Sequence, residues 1–172
     1  MTTHNISLSA DEGLAVGSAA IMQMMRATQK GWVGSDHGGT SGRSIRERWA
    51  QAIHGMMAEF AACKFLGVCW TAGVSGIQGS DALGIEIRAT PWENGKLIIN
   101  ESDVEKHPDH PFVLIVGHWP NFRLCGWITA QEAARDKWFK ADERPPSFWV
   151  AQSDLHDMSD LRIKDSRTRN DF

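Results

Sequence analysis

The chain has no tyrosine, only three cysteines, and no long apolar run. Cys63, Cys69 and Cys125 cannot all pair and show no CxxC spacing, which excludes a disulfide framework and speaks against a zinc ribbon. A reducing compartment fits that usage, and the expectation is a cytoplasmic protein. The longest apolar runs, such as Phe112 to Val116, are far too short to cross a bilayer. The opening Met1-Thr2-Thr3-His4-Asn5 lacks a basic region followed by an apolar run, so no secretory signal is read there. No GxxxxGK[ST], GxGxxG or GxSxG pattern occurs, which leaves P-loop hydrolysis and serine-hydrolase chemistry without support. Positive charge is not in excess either. A net charge of -3 argues against a broadly basic nucleic-acid coat protein, although a nucleic-acid enzyme needs only a local basic groove.

What is present is an ordinary globular composition in 172 residues, enough for one domain with a real core. Eight tryptophans supply most of the large aromatic surface, and core or interface packing is their usual use. Ser9-Ala10-Asp11-Glu12 is a capping box that opens a helix running to about Arg26, with Leu14, Ile21, Met24 and Met25 as its apolar side. Residues 31–42 are rich in Gly, Ser and Thr and read as a loop. A second helix follows from about Arg43 to Leu66, closed by Gly67. Its apolar stripe comprises Ile45, Trp49, Ala52, Ile53, Met56, Phe60 and Cys63.

Beyond Gly67 the period changes to two. Strands are expected over Val68 to Thr71, Leu83 to Thr90, Leu97 to Asn100, Phe112 to Gly117 and Arg123 to Ile128, the last two joined as a hairpin through Pro120-Asn121. Thr129-Ala130-Gln131-Glu132 is another capping box, for a short helix to about Trp138. Ser147 to Val150 reads as a short edge strand, and Ser153 as the cap of a last helical turn carrying Leu155, Met158 and Leu161. The expected class is α/β or α+β, a central mixed sheet flanked by helices. Its parts are an N-terminal helix and Gly-rich loop (1–42), a core (43–158) and a polar tail (159–172).

Chemistry concentrates in Gly79-Ser80-Asp81-Ala82-Leu83-Gly84-Ile85-Glu86-Ile87-Arg88. Leu83, Ile85 and Ile87 alternate with Gly84, Glu86 and Arg88, so the apolar set faces one side of a strand and the charged pair the other. Such a pair is costly to bury without a partner. A hard divalent cation on the oxygens of Asp81 and Glu86 would be one, and it points to metal-assisted phosphodiester chemistry. Taken singly, Asp81 suits a turn, Glu86 a solvated strand face, and Arg88 a partner for Glu86. Glu59 sits within the apolar stripe of the second helix, either pairing at its border with a cation such as Lys64 or joining Asp81 and Glu86 in an acidic cluster.

A helix bearing a Glu, then a strand bearing Asp and Glu-x-cation beside a mixed sheet, resembles the PD-(D/E)xK nuclease superfamily, with its restriction-endonuclease-like core. Gly55-Met56-Met57-Ala58-Glu59-Phe60-Ala61 resembles the helix motif of phage and prophage members. Residues 79–90 resemble their metal-binding strand, and residues 112–128 the hairpin after it. Arg144-Pro145-Pro146-Ser147-Phe148-Trp149-Val150, followed by Ser153-Asp154-Leu155, resembles their closing strand and helix.

The resemblance implies a divalent-metal-dependent endonuclease, acting on DNA, with Glu59, Asp81 and Glu86 as ligands of Mg²⁺ or Mn²⁺. It also implies a catalytic cation at Arg88, where the family has Lys, and relatives that cut both strands often act as homodimers. Arg88 keeps the charge and forks well onto phosphate, but stays protonated and is no base. Lys96, at the start of the next strand, is a second source of an ammonium group. The rival reading is a catalytically silent member of the fold that binds nucleic acid or protein.

Further basic residues are Arg43, Arg46 and Arg48, and Arg162, Lys164, Arg167 and Arg169 in the tail, the latter diluted by Asp160, Asp165 and Asp171. Trp92, just past the charged strand, is a stacking platform or an ordinary loop residue. His107-Pro108-Asp109-His110 reads as a turn. Asp36-His37 lies in the Gly-rich loop.

Overall fold

The computed structural model describes residues 3–30, 44–71, 84–143 and 145–162. Asp81, the Gly-rich loop with Asp36-His37, Arg43, and Lys164, Arg167 and Arg169 of the tail lie outside the described residues. The strand β1 (His4–Ser7) leads into the helix α1 (Ala10–Gln29), whose cap is the expected box: the Glu12 backbone N–H donates to Ser9 Oγ, and the Ser9 N–H to the Glu12 carboxylate. The helix α2 (Ile45–Leu66) is boxed in the same way by Ser44 and Glu47, and ends at Gly67 with φ +66°, the left-handed cap that glycine accepts without strain.

Next come β2 (Glu86–Thr90), β3 (Leu97–Asn100), the short helix α3 (Glu101–Lys106), β4 (Pro111–His118), β5 (Asn121–Thr129) and α4 (Ala130–Ala133). The two-residue β6 (Phe139–Lys140) and β7 (Ser147–Val150) complete the strands among the described residues. One sheet runs β1-β5-β4-β2 and is mixed, since β2 lies parallel to β4 and the other pairs are antiparallel. The other is antiparallel, in the order β3-β7-β6. The protein is thus a mixed α/β structure of helices and two sheets. No described helix is long and apolar enough to cross a membrane.

The core follows from β4. Its residues 112–116 are all buried, because both faces of the strand are covered. Phe112, Leu114 and Val116 face the second sheet with Leu97, Ile99, Phe148 and Val150. Val113 and Ile115 face α2 with Ala58, Ala61, Ala62, Ile85 and Ile87. α1 packs outside α2 through Val16, Ala20 and Met56. A bulge between Leu114 and Ile115 leaves Cys125 of β5 unpaired beside Gly126, which takes a positive φ of 144°. Gly117, near the hairpin end of β4, takes φ +107°, where a Cβ would stand 2.6 Å from the Asn121 carbonyl oxygen.

Several expectations are corrected. Val68 to Thr71 is not a strand. Its Val and Trp supply strand-like composition, yet Trp70 packs edge-on against Phe60 of α2, and the Val68 N–H closes the helix end on the Cys63 carbonyl. Of the apolar side read into α1, Leu14, Ile21 and Met25 are exposed, Leu14 at 72%, and Met24 is partly buried. Small residues, Gly13, Val16 and Ala20, face inward instead. Ile45, at the start of the α2 stripe, is likewise exposed.

β7 is the middle strand of its sheet, because the short β6, unforeseen, covers its other edge. The helix after Thr129 stops at Ala133 and resumes only as a 3-10 turn over Asp136–Trp138. Ser153 lies inside a 3-10 turn, Gln152–Asp154, rather than capping a helix, although Leu155, Met158 and Leu161 are buried as the pattern requires.

The His107 to His110 segment is the expected turn, closed by the His110 N–H on the His107 carbonyl, with the two rings stacked at 4.6 Å. Burial, with the charge of His107 beside it, holds the His110 pKa below its ordinary value, Asp109 opposing. The unfolded chain therefore takes up this proton more readily than the folded one. The stability from neutral His110 is complete above the unfolded pKa of about 6.5 and is lost as the pH falls below it. Thermal melts at pH 7 and pH 5 are expected to show a drop that shrinks in His110→Gln.

Candidate functional site

β2 stands last in the order of the mixed sheet among the described residues, and its alternation is the expected one. Ile85 and Ile87 are buried under α2, and Glu86 and Arg88 point to the other face. That face is only partly open to water. The side chains of Glu86 and Arg88 are 17% and 34% exposed, and the guanidinium lies 5.1 Å from the centroid of the Phe112 ring. Arg88 is shared between two acids: one nitrogen is 3.7 Å from Glu86, and the other donates to Asp103 Oδ2 at 3.2 Å. Asp103 also accepts from the Asn100 backbone N–H at 3.0 Å, so the start of α3 fixes its carboxylate. Three half-buried charges thus partner one another, which answers the desolvation problem that the sequence posed.

Asp103 is the member of this group that the sequence reading passed over. Its signal was present: Asn100-Glu101-Ser102-Asp103 has the helix-opening spacing of an Asn followed three residues on by an acid.

Arg88 also lines a cleft of about 890 Å³ at the C-terminal end of β2. Glu47, Ala50, Gln51 and His54 of α2 form one side, residues 88–92 and 94–96 another, and Ile98, Leu114 and Trp149 complete it. Lys96 therefore shares a cleft with Arg88. His54 is held there by Nε2, which donates to the Gly117 carbonyl at 2.8 Å. Glu59 does not line the cleft. It is half-buried on α2, next to Ala58, on the helix that covers the Ile85–Ile87 face. A second cavity, of about 500 Å³, lies at the other end of β2 between Gly84, His110, Thr129 and Asp160.

Set against family models, curated proteins and solved structures, the chain matched none.

The chemistry open to this group is electrostatic. Carboxylates are hard oxygen donors suited to Mg²⁺ or Mn²⁺, and an arginine and a lysine at a cleft suit a phosphate. Among the described residues, no three His, Cys, Asp or Glu side chains gather as a metal-holding group; Asp81 is outside that set.

Proposed function

We propose that this chain has a restriction-endonuclease-like core and hydrolyses phosphodiester bonds in nucleic acid, DNA first, with Mg²⁺ or Mn²⁺. The observation that carries the reading is Glu86 and Arg88 side by side on one face of β2, with Arg88 opening into the cleft that Lys96 shares. Glu59, Asp81 and Glu86 would hold the cation, an all-carboxylate donor set that suits a hard metal. When bound, the metal supplies Lewis-acid polarisation of the phosphate and acidifies a water.

Arg88 has the role of the family's Lys in stabilising charge that develops on the phosphate, and not that of a base, since its guanidinium stays protonated. Lys96 contributes a second positive charge from the start of β3. Cutting both strands of a duplex calls for two sites, and a homodimer is the expected working form. Three cysteines that form no disulfide suit a reducing compartment, the cytoplasm of a cell carrying a phage or prophage.

A silent, binding-only member of the fold is the second reading, and the Glu86–Arg88–Asp103 arrangement favours it, because Arg88 already has two counterions. The deciding experiment is cleavage of circular and branched DNA with Mg²⁺ or Mn²⁺, comparing the native chain with Glu86→Ala and Asp81→Ala. The nuclease reading expects cutting that needs metal and falls to background in both variants. No cutting by the native chain, together with no heat of metal binding in calorimetry, would leave the silent reading.

A further inference from the structure

The loop between β2 and β3 presents Trp92 to solvent, with 75% of its surface exposed. An indole is ordinarily buried or at an interface, and an isolated exposed aromatic on a loose loop would call for no explanation. This loop is not loose. The Gly95 N–H donates to the Trp92 carbonyl at 2.9 Å, and Gln152 reaches across to donate to the carbonyls of Glu93 and Gly95 at 2.8 and 2.9 Å. Arg123 donates to the Glu93 carbonyl and pairs with its carboxylate at 2.6 Å. Gly95 permits the fold of the loop, because a Cβ there would fall 2.2 Å from the Thr90 methyl group. Two side chains from distant parts of the chain thus hold an exposed indole at the rim of the cleft.

The cleft wall continues with Ile98 and Trp149, opposite each other across β3 and β7, and carries the cations Lys96 and Arg88. Flat apolar rings beside positive charge match a nucleotide, which has an aromatic face and an anionic phosphate. In a duplex the base faces are covered by their neighbours, so only an unpaired base can use the indole.

We propose that this cleft binds an unpaired nucleotide of a single-stranded segment, its base stacked on Trp92 and its phosphate on Lys96. The proposal rests on the nucleic-acid reading above and narrows its substrate to strands with unpaired positions, such as flaps, junction arms or single-stranded ends. Pre-forming the platform matters because the loop then loses little freedom on binding.

The test is fluorescence anisotropy of a labelled oligothymidylate and of a blunt linear duplex, with a chelator present so that binding is read apart from cleavage. The oligothymidylate is expected to bind more tightly than the duplex. Trp92→Ala should weaken it about 5- to 150-fold, the range of a lost base–aromatic stack, and Trp92→Phe should retain most of the affinity. Lys96→Gln should lower the slope of log K against log salt by about 0.7, one phosphate contact on a single strand. The variants should melt with the native protein, because Trp92 and Lys96 are exposed. Equal binding by Trp92→Ala and the native chain, a preference for the blunt duplex, or no binding of either probe would overturn the proposal. Absence of metal-dependent cutting beside intact, Trp92-dependent binding would remove the nuclease reading and leave this one standing.

Discussion

Phe112→Ala is expected to lower the unfolding free energy by about 3–5 kcal/mol, the usual cost of emptying a buried phenylalanine site. Phe112 is fully buried in the core between the two sheets, among Leu97, Ile99, Leu114 and Phe148, and it stands opposite Glu86 in the β2–β4 register. The loss has two parts. The ring leaves a cavity bounded by strand residues that cannot collapse together without breaking their ladders. The Arg88 guanidinium also loses the aromatic face beneath it, which loosens the cation that Glu86 and Asp103 share.

At about 2–4 °C per kcal/mol for a chain of this size, the melting temperature should fall by about 6–20 °C. Phe112→Leu fills most of the volume without the aromatic face, so it should recover most of the packing part and none of the cation–ring part. Denaturant melts of the two variants separate these contributions. A loss for Phe112→Ala within the range of a surface substitution would show that the two sheets do not share the core described.

That residue also illustrates what could be read before the fold was known. Residues 112–116 announced themselves as a strand by an unbroken apolar run, and the two faces they cover follow from that run. Both helix starts carry reciprocal capping boxes, local chemistry that the sequence states directly. β1 was missed because His4-Asn5-Ile6-Ser7 has a single apolar side chain and owes its form to pairing with β5, a contact more than a hundred residues away. The inward face of α1 was misjudged because close helix–helix approach selects small residues, which a hydrophobicity pattern ranks low.

At the site, alternation placed Glu86 and Arg88 on one face from the sequence alone. What sequence order does not convey is the third charge. Asp103 is fifteen positions from Arg88 and reaches it because β3 leads directly into α3. The same holds for the cleft: Gln152 and Arg123 brace the Trp92 loop from elements with no local relation to it.

Arg88→Ala divides the two functional readings, because each assigns the residue a different kind of loss. Removing the guanidinium leaves Glu86 and Asp103 half-buried without their shared cation, and their mutual repulsion adds to the desolvation of each. The expected destabilisation is about 1–3 kcal/mol, below the cost of breaking a fully buried pair because about a third of the arginine is open to water. This loss is common to both readings, and the double variant Arg88→Ala with Asp103→Asn should recover part of it by removing the second carboxylate charge. The amide oxygen introduced by Asp103→Asn would still accept from the Asn100 N–H, which keeps the start of α3 intact.

Activity separates the readings. If Arg88 stabilises the charge that develops at the phosphate, cleavage under conditions where both proteins are folded should fall about 100- to 1000-fold, as when a single transition-state donor is removed. The double variant should recover stability without recovering rate. Arg88→Lys should keep measurable cutting, since the charge survives while the two-pronged contact with the acids does not. A cleavage rate that instead follows stability through all three variants would make Arg88 a fold-holding cation. The charge at the phosphate would then have to come from Lys96, the other ammonium or guanidinium group lining that cleft among the described residues.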